Sequence, residues 1–101
     1  MFTKYKLMKF KWLNKQGVES DTGFIVQFTD RFTAEYREGS KVIEVEVEDG
    51  LSNSKPCICF KESSFSHWSN SDEKIPAEKQ KEILNNFISG IEYQGLTAIA
   101  D

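Results

Sequence analysis

The stretch that decides the fold is Ile75–Gly95, which reads IPAEKQKEILNNFISGIEYQG. Its apolar side chains recur at steps of one, three and four residues, the spacing that places side chains on one side of an α-helix. Pro76 suits a first helical turn, and Gly95 can supply a left-handed stop. The pattern predicts one amphipathic helix that must pack against the rest of the chain. Its apolar stripe consists of Ile83, Leu84, Phe87, Ile88 and Ile91.

Alternating apolar and polar residues predict the strands that the helix covers. The clearest alternation is in 41–48, where Ile43, Val45 and Val47 are predicted to face inward and the glutamates between them outward. The predicted fold is therefore α+β, a mostly antiparallel sheet with one main C-terminal amphipathic helix packed on one face. The predicted strands are 2–13, 24–29, 32–38, 41–48, 56–60 and 96–100.

Two stretches without periodicity are predicted to be loops. Residues 14–22 contain Gly17, Ser20 and Asp21, and residues 49–55 surround Gly50 with polar side chains. The strand that follows the second loop contains Pro56, which favours a position at the edge of the sheet.

The length and charge of the chain limit its possible functions. A chain of 101 residues is predicted to form a single domain, with a core at 23–101 and a lysine-rich strand and loop at 1–22 that can be an addition to it. The net charge is −3, and five lysines with no acidic residue in the first fifteen positions leave −8 for the remainder. The acidic body argues against direct nucleic-acid binding. Without a long apolar run, we predict no membrane association and a cytoplasmic location.

His67 is the only histidine and therefore the first candidate for catalysis. Nearby hydroxyl and thiol groups are candidate nucleophiles, but their spacing defines no set of nucleophile, base and orienting group; they are Ser64, Ser66 and Cys59. The sequence predicts a protein that is not an enzyme, with a small hydrolase using His67 as an alternative. Together with Trp68, His67 is predicted to anchor its polar segment against the sheet.

The cysteines and glycines indicate no metal or cofactor site. Cys57 and Cys59 are predicted to be reduced thiols on opposite faces of a strand, and with one histidine they do not form a zinc site. The glycines stand singly in separate loops, whereas a phosphate-binding turn needs them clustered between a strand and a helix. No metal and no cofactor are predicted.

The acidic residues of the clearest strand are the candidate partner-binding site. Alternate residues of a strand lie about 6.5–7 Å apart, a spacing comparable with successive phosphates of a nucleic acid, so such a row could occupy a cationic active site. The alternative explanation is that these carboxylates are the solvated face of a half-buried strand. The candidate residues are Glu44, Glu46, Glu48 and Asp49.

Several short motifs carry a resemblance to a known family. The run YREGSKVIEV at 36–45 is followed by Phe60, by Ser66-His67-Trp68 and by Ile75-Pro76 at the start of the helix. This pattern resembles the immunity protein seventy-four family of small bacterial proteins from polymorphic-toxin and contact-dependent growth-inhibition systems. The similarity covers about residues 32–100. The lysine-rich residues 1–22 lie outside it, and the spacer at 69–74 lacks proline.

The resemblance implies an inhibitor without chemistry of its own. It implies that the protein binds a cognate toxin domain, with a nuclease favoured by the acidic charge, and masks its active or substrate-binding site. The resemblance carries over no contact residues, and the expected state is a monomer or weak homodimer. A homo-oligomeric structural module that buries an exposed sheet edge against its own copy stays open as an alternative.

Overall fold

The computed structural model describes residues 9–100, which form one helix and one sheet of seven strands. The predicted strand over 2–13 thus lies partly outside the described residues. A 3₁₀ turn covers Glu62–Phe65, and the helix α1 is Ala77–Tyr93. The strands are β1 (Phe10–Asn14), β2 (Gly17–Ser20), β3 (Phe24–Asp30), β4 (Thr33–Glu38), β5 (Lys41–Ser52), β6 (Lys55–Phe60) and β7 (Thr97–Ala100).

The strands follow one another across the sheet in chain order, and every neighbouring pair except the last is antiparallel. β6 and β7 are parallel, and α1 lies between them in the chain. A parallel pair needs such a crossover, since its second strand must begin at the same end of the sheet as the first. The α+β fold predicted from the sequence is confirmed. Among residues 9–100, no helix is both long and apolar enough to cross a membrane.

The core lies between α1 and one face of the sheet, as the apolar stripe predicted. Ile83, Phe87 and Ile91 are completely buried, while Leu84 and Ile88 are partly buried at its margin. The sheet contributes its inward-facing residues, including those predicted on β5, to the same cluster. Burial of each large apolar side chain is worth roughly 1.5–3 kcal/mol before entropy is counted, so docking of the helix dominates the stability.

The loop predicted at 14–22 is wrong, because β2 lies inside it and pairs with both β1 and β3. Val18 is completely buried, so the core begins before residue 23. Gly17 allows a close approach to β3, since a Cβ there would lie 2.5 Å from the Cβ of Gln27. Ser20 uses its hydroxyl to accept hydrogen bonds from the backbone N–H groups of Gly23 and Phe24, both at 3.1 Å. Gly17 thus permits the close packing of β2 against β3, and Ser20 stabilises the turn between them.

The loop predicted at 49–55 is also wrong, because β5 continues to Ser52 and β6 starts at Lys55. Only Asn53 and Ser54 connect them, with φ angles of 52° and 66°. Positive φ at both central residues is the geometry of a tight two-residue hairpin, whose twist matches that of the strands. The polar residues before this turn thus belong to a paired strand.

Two further predictions, both about β6, are wrong. The strand lies between β5 and β7 and is therefore not an edge strand, with Pro56 near its start, before the residues that pair with β7. Cys57 and Cys59 share one face of β6, since residues two apart in a strand point the same way. A Cβ added at Gly50 would lie 3.2 and 3.6 Å from their sulfurs.

The segment between β6 and α1 is anchored by Phe65 and Trp68, which are buried. His67 is exposed, so its predicted role as an anchor is wrong, whereas that of Trp68 is confirmed. Beyond Trp68, the backbone N–H of Ser69 donates to the carbonyl of Val42 at 2.7 Å. The segment thus covers the first half of β5, along the edge whose second half pairs with β6.

Candidate functional site

The glutamates of β5 form a row on the sheet face that points away from α1. Glu44, Glu46 and Glu48 are exposed, and the buried residues between them face the core. None of the three forms an ion pair with another of residues 9–100. We call these three carboxylates the acid ladder.

Asp49 does not belong to the acid ladder. It follows Glu48 directly, so its side chain points to the opposite face, where its cross-strand partner is Ile58. There it lines a cavity of about 350 Å³ together with Asp30, Arg31 and the apolar side chains Phe28, Ile58 and Leu96. The structure therefore brings together three of the four predicted site residues and separates the fourth.

The charge of the acid ladder is increased by the neighbouring strand. Glu35 of β4 stands directly opposite Glu44, and like charges in that position repel each other. The carboxylate of Glu35 accepts a hydrogen bond from Gln27 at 2.8 Å and lies 3.4 Å from the guanidinium of Arg37. The charge of Glu35 is thus partly compensated, whereas no ion pair among residues 9–100 compensates the three carboxylates of the acid ladder.

A groove runs beside the acid ladder, between β5 and the segment that follows β6. Its volume is about 500 Å³, and its walls carry hydroxyl groups, two ladder carboxylates and one lysine. The segment is held in place by Ser69, whose hydroxyl accepts from the N–H of Glu44 at 2.8 Å, and by Asn70, which bonds Ser40 and Val42. The acid ladder is therefore a firmly positioned surface. The lining residues are Thr33, Glu44, Glu46, Lys61, Ser63, Ser64 and Ser69.

A second polar cluster, which the sequence analysis missed, lies where α1 meets the sheet. The hydroxyl of buried Tyr36 donates to Glu38 and accepts a hydrogen bond of 3.0 Å from Asn86. Lys79 lies 3.0 Å from Glu38 and 3.1 Å from Glu82. The sequence signal for this cluster is the helical spacing of Lys79, Glu82 and Asn86. This spacing places Asn86 one turn beyond Glu82 and beside the buried apolar stripe.

The electrostatics of this cluster are set by burial and hydrogen bonding. Burial raises the pKa of Tyr36 far above its ordinary value, and its hydrogen bond to Glu38 raises it further. Burial lowers the pKa of Lys79, but hydrogen bonds to Glu38 and Glu82 outweigh this effect and raise it. Tyr36 is therefore neutral and Lys79 charged around pH 7, which makes the cluster a hydrogen-bonded tie between helix and sheet.

Removing the Tyr36 hydroxyl is expected to weaken this tie. Tyr36→Phe leaves buried Asn86 without its acceptor, which should lower the free energy of unfolding by about 1–3 kcal/mol in urea titrations at pH 7. Tyr93→Phe is the matched control, because Tyr93 is largely exposed, and it should change stability by less than about 0.5 kcal/mol. Equal effects of the two substitutions would contradict a structural role of the Tyr36 hydroxyl.

The raised pKa of Tyr36 also predicts a pH dependence. In the unfolded chain a tyrosine ionises near pH 10, whereas Tyr36 stays protonated in the folded chain. The unfolded state therefore binds fewer protons above that pH, and stability should fall as the pH rises beyond about 10. Tyr36→Phe should remove this part of the alkaline loss, measured as the melting temperature between about pH 9 and 11.

His67, the basis of the hydrolase alternative, is exposed, and its ring nitrogen Nδ1 lies 3.1 Å from the hydroxyl of the adjacent Ser66. The contact joins neighbours at the surface, where water competes for the same hydrogen bonds. The residues from 9 to 100 contain no group of three or more histidine, cysteine, aspartate or glutamate side chains arranged to hold a metal ion.

Comparisons with known proteins found no relative of this chain. No family model, no curated protein and no solved structure matches the chain. The resemblance to the immunity protein seventy-four family therefore rests on the short motifs quoted above.

Proposed function

We propose that the protein binds and neutralises a cationic toxin domain, a nuclease, by covering its substrate-binding site with the acid ladder. The observation that carries the proposal is the row of Glu44, Glu46 and Glu48, exposed on one sheet face with no ion-pair partner among residues 9–100. The resemblance to bacterial immunity proteins supports the same function.

Charge complementarity gives the physical reason. A nuclease presents lysines and arginines where the phosphate backbone of its substrate lies. Carboxylates repeated about every 6.5–7 Å along β5 match such a surface. Oppositely charged surfaces accelerate association and favour the matching partner over others.

The local repulsion on the sheet supports a role in binding as well. Glu44 stands opposite Glu35, an arrangement that costs folding energy and that a lysine at either position would relieve. A cationic partner would relieve it too, which favours the bound state. This cost also means that reversing the charge of the acid ladder should not unfold the protein.

The test is a charge reversal, Glu44→Lys with Glu46→Lys. Nuclease toxin domains are first screened for one against which the wild-type chain protects growing cells. With that domain, the double variant should associate about 10-fold or more slowly at low salt, with a flatter salt dependence, in stopped-flow or surface-binding measurements. Its melting temperature should be unchanged or higher.

The matched control reverses two exposed glutamates on α1, on the other side of the sheet. Glu78→Lys with Glu92→Lys makes the same change in net charge and should leave association within about 2-fold, since steering depends on where the charge lies. Failure of the wild-type chain to protect against any nuclease domain in the screen would contradict the function. If the wild type protects cells but both double variants lose association rate equally, the interface lies outside the acid ladder.

A further inference from the structure

The two cysteines of β6 direct their sulfurs to one small space on the outer face of the sheet. Cys57 stands opposite Gly50 of β5, and Cys59 stands opposite Glu48, whose side chain projects from that face. A Cβ added at Gly50 would lie 3.2 Å from Sγ of Cys57 and 3.6 Å from Sγ of Cys59. Both sulfurs therefore border the space that glycine leaves open.

The backbone that carries the two thiols is held on both sides. Cys57 and Cys59 pair with β5 along one edge of β6 and with Thr97 and Ile99 of β7 along the other. Cys57 is only 3% exposed, while Cys59 is partly exposed and lies on the side that solvent reaches. Ligand groups held on rigid elements lose little freedom when they bind. The pair is thus positioned in advance for a ligand of both sulfurs.

The chemistry of two neighbouring thiols limits what this ligand can be. The sequence-based argument against a metal assumed that the sulfurs point to opposite faces, which the structure contradicts. Structural Zn²⁺ takes four ligands, and residues 9–100 offer no group of even three for it. Thiolates are soft ligands that favour Cu(I), and Cu(I) forms stable complexes with only two of them. A two-thiol site therefore fits Cu(I).

We propose that Cys57 and Cys59 together bind one Cu(I) ion in the space beside Gly50. With a metal–thiolate bond of about 2.3 Å, each sulfur needs to move roughly 1 Å toward an ion in this space. Rotation about the Cα–Cβ bonds supplies such a shift while the strand stays in place. Binding breaks the two S–H bonds, forms two S–Cu bonds and releases both protons to the solvent, so the bound pair carries one negative charge.

Gly50 is the residue that keeps the space open. It lies inside β5, and glycine within a strand often marks a place that a ligand or another group approaches closely. A side chain at this position would meet both sulfurs at short range. The proposed site needs neither a toxin nor a carboxylate of the acid ladder, so it is independent of the proposed function.

The first test is a titration of the reduced full chain with Cu(I) in oxygen-free buffer. The ultraviolet charge-transfer absorption of copper–sulfur bonds should rise until one ion is bound per chain. Each ion bound at about pH 6 should release about two protons, because both sulfurs bind as thiolates. Sedimentation of the titrated protein should show a single chain. A missing absorption band, or one ion shared by two chains, would overturn the proposal.

The second test compares variants in competition with a coloured Cu(I) chelator. Cys59→Ser changes the more exposed ligand and should weaken Cu(I) binding by more than about 100-fold, since loss of an outer-shell partner alone can cost that much. The matched control adds Glu78→Cys to Cys59→Ser, which restores the number of thiols but places one on α1, across the sheet. It should bind as weakly as Cys59→Ser. Wild-type affinity in either variant, with melting curves showing a folded protein, would overturn the paired site.

Discussion

Replacing Phe87 by alanine is expected to lower the free energy of unfolding by about 3–5 kcal/mol. Phe87 is completely buried on α1, and its ring lies 5.0 Å from that of Phe60 and 5.3 Å from that of Phe65. It therefore joins the helix both to β6 and to the turn that follows. Alanine would leave a cavity between elements that cannot move together without losing other contacts.

The effect can be measured by urea denaturation, with Leu84→Ala as the control on the same helix. Leu84 is only partly buried at the margin of the core, so its truncation should cost clearly less than that of Phe87. Because a loss of about 3–5 kcal/mol is a large part of the stability of a small domain, Phe87→Ala should be partly unfolded at 37 °C. Equal effects at the two positions would mean that the helix docks differently.

Replacing Gly90 by leucine is expected to cost about 3 kcal/mol through overpacking, although leucine favours a helix more than glycine does. A Cβ at Gly90 would lie 2.6 Å from Cγ2 and 2.7 Å from Cβ of Val26 on β3. Glycine is therefore the residue that lets the helix approach the sheet this closely. Replacing Asn85, which is exposed, by leucine should be neutral or stabilising, because leucine there adds helix propensity without a clash.

A double-mutant cycle tests whether this clash is the cause. Gly90→Ala and Val26→Ala should each destabilise the protein, the first by crowding and the second by leaving a cavity. Combined, they should cost less than the two single effects added, because the smaller Val26 side chain makes room for the new methyl group. Strict additivity of the unfolding free energies would show that Gly90 is needed for another reason.

The residues whose replacement should destabilise the protein, Phe87 and Gly90, lie on the opposite side of the sheet from the proposed binding surface. The core holds α1 to the inner face, while the acid ladder projects from the outer face of β5. Exposed substitutions on the outer face should therefore change binding with little change in stability, whereas Phe87 and Gly90 should affect stability first. Melting temperatures measured beside binding rates separate the two kinds of effect.

The sequence by itself determined the elements whose pattern repeats within one segment. The apolar stripe of 75–95 predicted α1, and the alternation of 41–48 predicted which side of β5 is buried. In both cases neighbouring residues repeat the same environment, so the period is visible without knowledge of their partners. The same alternation also placed Glu44, Glu46 and Glu48 together.

Only the tertiary structure decided the features that depend on distant partners. Gly17 and Gly50 resemble loop residues in the sequence, yet each allows a close approach to a side chain of a neighbouring strand. The continuation of β5 past Glu48 turned Asp49 away from the acid ladder, because pairing with β6 keeps the strand extended. Asn86 is buried because the hydroxyl of Tyr36, fifty residues away, accepts its hydrogen bond. Such roles come from long-range packing, which a local pattern does not record.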